Sequence, residues 1–309
     1  MLQEEIIVEE KSVGQRLDKF LNERYSDFTR SFIQKAIKNG DISVNMKEPK
    51  SNYKVRLNDS IIVNIPDPVE LEIEPEDIPL DILYEDEDVL IVNKPKQMVV
   101  HPSAGHQSHT LVNAIMYHCK DSLSGINGVI RPGIVHRIDM DTTGSLIICK
   151  NDKSHVDIAS QIKEHSANRV YVGIVYGNLK DDEGTIEGAI GRHPVDRKKM
   201  AINEKNGKPA VTHYKVIERF GNYTYVKFKL ETGRTHQIRV HMASIGHPLL
   251  GDELYSNNKK SKFKHLQGQC LHAQIIGFIH PTSKKYVEFS APLPDYFENL
   301  LQVLRNQNK

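Results

Sequence analysis

Gly133-Ile134-Val135-His136-Arg137-Ile138-Asp139-Met140-Asp141-Thr142-Thr143-Gly144 runs straight into the apolar stretch Ser145-Leu146-Ile147-Ile148-Cys149. Twelve residues bring together a histidine, an arginine, two carboxylates and two hydroxyls, braced by Ile134, Val135 and Ile138 before and a strand-like run after. A polar loop held between buried elements is a usual place for chemistry, because the scaffold fixes the orientation of its side chains.

Working outward, the apolar runs are short and alternate with turn signals. Strands are expected at Val89–Asn93, 169–177, 184–190, 197–202, 210–219, 223–231, 271–279 and 285–290. Helices are expected at Thr110–Tyr117, Lys153–His165 and 295–305, with a further one capped by Thr235 that carries Ile238, Val240 and Met242. Sheet thus dominates residues 81–309, with only a few helices. Toward the N-terminus, a strand over 3–9 precedes a helix over Val13–Tyr25 with Leu17, Phe20 and Leu21 on one face. A second helix, capped by Thr29, runs to Lys38 and stops at Gly40, and short strands follow at Ile42–Met46, Tyr53–Val55 and Ile61–Ile65. Between the two bodies, residues 66–80 hold four prolines and dense acid, and read as a linker.

Charge follows the same division. Residues 11–65 carry 11 Lys+Arg against 6 Asp+Glu, residues 66–88 carry 11 acidic residues and no basic one, and residues 89–309 carry 30 against 19. Two basic bodies joined by an acidic strap suit a polyanion partner. The three cysteines, Cys119, Cys149 and Cys270, have no metal-ligand spacing and read as buried thiols of a reducing compartment. The acidic start, Met1-Leu2-Gln3-Glu4-Glu5, is unlike a signal or transit peptide, and no apolar run approaches membrane-spanning length. A cytoplasmic protein is expected. His101, His106 and His109 share a Gly/Ser loop, but their spacing matches no metal-ligand pattern.

The central loop admits two chemistries. Asp139-Met140-Asp141-Thr142-Thr143 fits the D-x-D-x-T pattern of Mg²⁺-dependent phosphatases, which need further acidic ligands downstream; Gly251-Asp252-Glu253 does not supply the Asp pair. Alternatively one aspartate, kept ionised by Arg137, Arg234 or Arg239, attacks a sugar or a base.

Other segments favour the second chemistry. His136-Arg137-Ile138-Asp139, continuing through Thr142-Thr143-Gly144, resembles the H-R-L-D-x-x-T-S-G signature of the RluA-type RNA pseudouridine synthases. Arg169-Val170-Tyr171 stands where that family has a basic residue, any residue, then Tyr. Thr232-Gly233-Arg234-Thr235-His236-Gln237-Ile238-Arg239-Val240-His241 resembles a third motif almost letter for letter. Ile91-Val92-Asn93-Lys94-Pro95, Val99-Val100-His101-Pro102, Gly246-His247-Pro248 and Gly251-Asp252 fall in family order. The departures are Ile138 for Leu, Thr143 for Ser and Arg169 where Lys is usual.

Residues 13–65 are similar to the small alpha-L RNA-binding domain of ribosomal proteins, on Arg16-Leu17-Asp18-Lys19-Phe20-Leu21, Lys35 through Asn45, and Asn58-Asp59-Ser60-Ile61-Ile62-Val63. Met46 replaces the usual Gly after the Val-Asn pair.

The resemblances imply a small N-terminal α/β RNA-binding domain (1–65), the linker (66–80) and an α+β synthase domain (81–309), a mainly antiparallel mixed sheet with a central RNA cleft, that isomerises uridine to pseudouridine. They imply no cofactor and no metal. Asp139 would be the nucleophile or sugar-directed base, with Arg234 as its ion-pair partner, though Arg137 and Arg239 are equally spaced for that role. Tyr171 would stack on uracil, and Arg137 would fill the gap left by the flipped nucleotide. Arg137, His136 and Arg239 are expected to face the substrate RNA, with His136 and His236 serving as structural hydrogen-bonders. Arg16, Arg30, Lys35, Arg192, Arg197, Lys198, Lys199, Lys259, Lys260, Lys262 and Lys264 would meet RNA phosphates. Ribosomal RNA, free or within a precursor subunit, is the favoured partner over tRNA, and a monomer is the default. Two other readings are a ribosome-assembly factor that binds RNA with incidental catalysis, and the Mg²⁺-dependent phosphatase.

Overall fold

The computed structural model describes residues 2–25, 28, 30–65, 73–103, 105–120, 122–124, 132–256, 262–263 and 266–307. The chain divides into two compact units, 1–71 and 72–309.

In the first unit, β1 (Leu2–Ile7) is followed by α1 (Leu17–Arg24), α2 (Arg30–Asn39), β2 (Ile42–Val44) and β3 (Ser60–Ile65). The sheet order is β1-β3-β2, all antiparallel. Leu17 and Leu21 of α1 and Ile33, Ala36 and Ile37 of α2 lie at helical spacing and close on Ile42, Val44, Ile61 and Val63 of the sheet. The first helix is shorter than expected: it begins at Leu17, after a turn of 3₁₀ helix over Glu10–Ser12. Tyr53–Val55 is not a strand but contributes one isolated bridge, Arg16 to Lys54. Thr29 and its capping role lie outside the described residues. Between β2 and β3, Val44 and Lys47 exchange both backbone hydrogen bonds across Asn45 (φ 49°) and Met46 (φ 61°), a two-residue turn of the I′ kind. Met46 thus takes the left-handed conformation that a glycine would adopt without strain.

The second unit holds β4 (Ile82–Glu85), β5 (Val89–Lys94), α3 (Leu111–Cys119), β6 (Thr143–Cys149), α4 (Asp152–Lys163), β7 (Asn168–Tyr176), β8 (Glu183–Glu187), β9 (Ile190–Arg192), β10 (Met200–Ile202), β11 (Val211–Arg219), β12 (Tyr223–Leu230), α5 (Gln237–Ser244), β13 (Leu271–Ile279), β14 (Tyr286–Ser290) and α6 (Asp295–Gln307). A nine-stranded sheet runs β4-β5-β6-β13-β7-β12-β11-β8, with β14 on β13; only β6–β13 pair in parallel. Strands β9 and β10 form a separate ribbon. The α+β, mainly antiparallel architecture stands as expected. Every residue of β6 is buried, as are five of the six in β5, so their apolar runs show no alternation. Each enclosed Leu or Ile there contributes about 1.5–3 kcal/mol. Gly144 (φ 110°) marks the closest approach: a Cβ on it would lie 2.2 Å from the Ala273 carbonyl oxygen, so no other residue fits where β6 meets β13.

Two expectations are corrected, and one strand appears where none was expected. Strand β4 had no period of its own and forms by pairing with β5. The expected linker is described only from residue 73, and from there it belongs to the second unit: Ile73 is buried in the core, and Asn113 of α3 bonds both Glu74 and Glu76. Helix α5 is capped not by Thr235 but by His236 in the left-handed conformation (φ 57°). All three cysteines are buried free thiols. No helix among the described residues is long and apolar enough to cross a membrane.

Candidate active site

The loop before β6 is fixed at several points along its length. Ile134 and Ile138 are buried in the core, and Ile134 bridges to Ile148. His136 accepts the Ile147 N–H on Nε2 at 3.0 Å. Burial of its ring, reinforced by the charge of Arg169, pushes its pKa down to about 3, so the ring is neutral and suited to accept. Lys94, at the end of β5, is almost fully buried. Its ammonium donates to the carbonyls of Pro95, Met98 and Met140 at 2.7, 2.8 and 2.9 Å, which uses all three of its N–H groups. Burial lowers the Lys94 pKa to about 7, against the opposing pull of Asp141 and Asp139. The Lys94 contact to Met140 ties the loop directly to the neighbouring strand.

Asp139 projects from this fixed backbone. Its Oδ2 accepts Arg239 Nη1 at 2.9 Å, and His236 Nε2 stands 3.9 Å from Oδ1. Arg239 is itself held: Nε and Nη2 donate to Asp252 at 2.7 and 3.0 Å, a bidentate pair in which the carboxylate is fully enclosed. Asp252 also accepts the backbone N–H groups of Leu254 and Tyr255. Burial works against the Arg239 charge, but Asp252 and Asp139 outweigh it and raise its pKa. One guanidinium therefore serves two carboxylates, leaving a surplus negative charge at the more exposed one, Asp139.

The expected ion-pair partner, Arg234, is thus corrected to Arg239. Arg234 precedes α5; its backbone N–H donates to Gln237 Oε1 and its Nε to the Pro209 carbonyl. Gln237 also bonds Thr232, Thr212 and Val211, and so locks the turn that leads into the helix. Arg239, two residues into α5 after Gln237, is aimed by the helix instead.

Tyr171 stands on β7 and is buried. Burial raises its phenol pKa, opposed by Arg169 and reinforced by Asp139. A cavity of about 450 Å³ is lined by Asp139, Tyr171, Arg137, His136, Arg234 and Arg239, with Ile138, Leu230 and Leu271 as apolar walls. A second, of about 340 Å³, shares Arg137, Ile138, Asp139, His236 and Arg239 and continues along His101, Asp141 and Gln269. Arg137 is exposed where both open, with Nη1 3.5 Å from His101 Nε2. Carboxylate, arginines and an aromatic ring thus meet around a space large enough for a flipped base. Asp139 and Asp141 precede β6 rather than follow a strand, unlike the phosphatase arrangement.

The other sequence-selected residues lie elsewhere. Arg16 and Arg30 both donate to Asp18, whose side chain is fully enclosed, so part of their charge is neutralised. Lys35 is exposed on α2, and Arg197 and Lys198 are exposed in the turn joining β9 to β10. Lys259, Lys260 and Lys264 lie outside the described residues. Sequence reading assigned no role to Lys94, Asp252 or Gln237. A lysine ending an apolar run just before proline was a usable signal for the first, and the other two lie in segments that match the family's motifs.

The sequence model of the RNA pseudouridylate synthase family matches residues 88–244, and that of the S4 domain matches 15–61. The chain is 48% identical over 305 residues to the uncharacterized RNA pseudouridine synthase YlyB of Bacillus subtilis, covering 99% of each. It is 44% identical over 316 residues to the ribosomal large subunit pseudouridine synthase D of Zymomonas mobilis, again covering 99% of each. Among solved structures, Human RNA Pseudouridylate Synthase Domain Containing 1 superposes with a TM-score of 0.56 at 25% identity, covering 78% of this chain and 98% of that one. The fold and the site thus define an isomerase acting on RNA. The chain belongs to the RNA pseudouridylate synthase family.

Proposed function

We propose that this enzyme converts uridines of large-subunit ribosomal RNA to pseudouridine, with Asp139 as the nucleophile or sugar-directed base. The observation that carries the reading is Asp139 at the cavity wall, paired with a buried Arg239 and facing the cavity that Tyr171 lines. In the reaction, the bond between ribose C1′ and uracil N1 breaks, and its electron pair leaves with the base. C1′ is held either as an ester of Asp139 or, after loss of the C2′ proton to Asp139, as a glycal. The detached uracil turns and C5 bonds to C1′; the C5 proton is lost, N1 gains one, and Asp139 is regenerated. Tyr171 stacks on the base and assists removal of the C5 proton. Arg137, exposed at the rim, fills the gap left in the RNA. Arg239 positions Asp139, while Arg234 supports the turn before α5.

The S4-type unit acts as a separate anchor through Arg16, Arg30 and Lys35, and Arg197 and Lys198 meet phosphates of the substrate. The preference for ribosomal RNA over tRNA rests on the name carried by the Zymomonas relative and on the S4 match. The enzyme acts in this reading as a cytoplasmic monomer on free RNA or precursor subunits.

The test is tritium release from RNA labelled at uracil C5, using large-subunit ribosomal RNA and bulk tRNA. Asp139→Asn is expected to lower release by about 10³-fold or more, with RNA affinity kept within about threefold because phosphate contacts dominate binding. Undiminished release by Asp139→Asn would sink the assignment. Preferential release from tRNA would sink the ribosomal reading.

A further inference from the structure

Arg169 differs from every other cation of the site. It is 4% exposed and lies on β7 two residues before Tyr171, so both side chains project from the same face of the strand into the same cavity. A guanidinium carries five N–H donors. The only hydrogen bond the Arg169 side chain makes among the described residues is Nη2 to the Glu231 carbonyl, at 3.0 Å. Its Nε is enclosed without an acceptor. It makes no ion pair among those residues. Such an arrangement is costly: a buried charge ordinarily has a counter-ion, and a buried donor ordinarily has an acceptor. Burial lowers the Arg169 pKa, opposed by Tyr171 and reinforced by the neighbouring Arg234, and no carboxylate contributes to holding its charge.

The fold also makes room for it. A Cβ placed on Gly233 would lie 2.5 Å from Arg169 Nη1, and Gly233 has no left-handed backbone that would otherwise call for glycine. A side chain at position 233 would therefore push the Arg169 guanidinium from its place. The missing counter-ion is best supplied by the substrate. Arg239 cannot supply surplus positive charge to the base, since Asp139 and Asp252 already share it. Arg137 is exposed and screened.

Resting on the isomerase reading above, we propose that Arg169 is the leaving-group site: it donates to a carbonyl oxygen of uracil and stabilises the anion that departs from C1′. As C1′–N1 breaks, the bonding pair moves to N1 and spreads onto O2 and O4, so negative charge appears where none stood in the bound nucleoside. A fixed, dry donor aimed at developing charge acts mainly in the transition state. A phosphate is the less favoured occupant, because Arg169 is enclosed beside the ring of Tyr171 whereas the RNA backbone stays near the surface.

The experiment uses the full chain under single-turnover conditions with saturating RNA, following loss of the target nucleoside in nuclease digests. Two RNAs are compared, one with uridine and one with 5-fluorouridine at the target, since fluorine makes uracil a better leaving group. Arg169→Met is expected to slow the uridine reaction by about 10²–10³-fold and the 5-fluorouridine reaction by about tenfold or less. Arg169→Gln, which keeps a donor without the charge, is expected to be intermediate on uridine and likewise rescued by fluorine. Should Arg169→Met not fold, the glutamine variant carries the same comparison. Equal losses on the two RNAs, an unchanged uridine rate, or a loss confined to RNA affinity would each overturn the proposal, the last assigning Arg169 to phosphate. Wild-type protein inert on uridine RNA would instead sink the underlying reading, so the two failures are distinct.

Discussion

Two clusters of arginine and aspartate in this protein are mirror images in charge. In the N-terminal unit, one enclosed carboxylate, Asp18, lies between two half-exposed guanidiniums, Arg16 and Arg30, with Gln34 completing its acceptors. In the catalytic unit, one nearly enclosed guanidinium, Arg239, lies between Asp252 and Asp139. In each, a single buried ion fixes the geometry, and the surplus charge is left on the exposed partners. The surplus is positive where the S4-type unit would meet phosphates and negative where a carboxylate would meet a sugar. Both clusters stabilise the fold, yet what each presents to a substrate has opposite sign.

Three changes probe that comparison. Asp252→Asn should have the largest effect. It leaves Arg239 with one carboxylate and two poorly matched buried donors, at a cost of about 3 kcal/mol in the stability of the catalytic unit by urea unfolding. It should also slow tritium release, because Arg239 would turn toward Asp139 and tie up the carboxylate. Unchanged stability and rate would break the view that Asp252 aims Arg239.

Asp18→Asn should cost less, about 1–2 kcal/mol, since both arginines remain half open to water. Hydrogen bonding from Arg16, with help from Gln34 and Arg30 and against burial, holds the Asp18 carboxyl below its ordinary 3.8. The unfolded chain therefore binds the proton first. The contribution is complete above about pH 4 and is lost as pH falls further toward the folded pKa. Asp18→Asn should accordingly flatten the acid limb of the first unit's stability, read by circular dichroism of the full chain, while leaving catalysis on a short target RNA intact. An acid limb as steep as the wild type's would show that Asp18 contributes nothing.

Met46→Gly should have the smallest effect. Relief of the left-handed strain outweighs the added freedom of the unfolded chain by a few tenths of a kcal/mol at most, raising the stability of the first unit alone. A loss of stability would mean that the Met46 side chain contributes more than its 89% exposure allows.

How far the sequence could be read depended on the range of the interaction. Strands β5, β6 and β7 were legible because their apolar runs are enclosed on both faces, and α3, α4 and α6 because their apolar residues recur at helical spacing. Strand β4 was not, since its side chains are mostly exposed and only backbone pairing with β5 defines it.

The sequence by itself determined the chemistry-bearing stretch, the residue types it needs and the family to which it belongs, because those are encoded within runs of ten residues or so. Tertiary structure decided which groups meet. Asp139 pairs with Arg239 and not Arg234, Asp252 holds Arg239 from 13 residues away, and Lys94 reaches Met140 across 46. It also left Arg169 buried with a single acceptor. Spacing places a charge on an element, but its partner is set by how the elements pack, and the partner decides whether that charge is spent on the fold or left for the substrate.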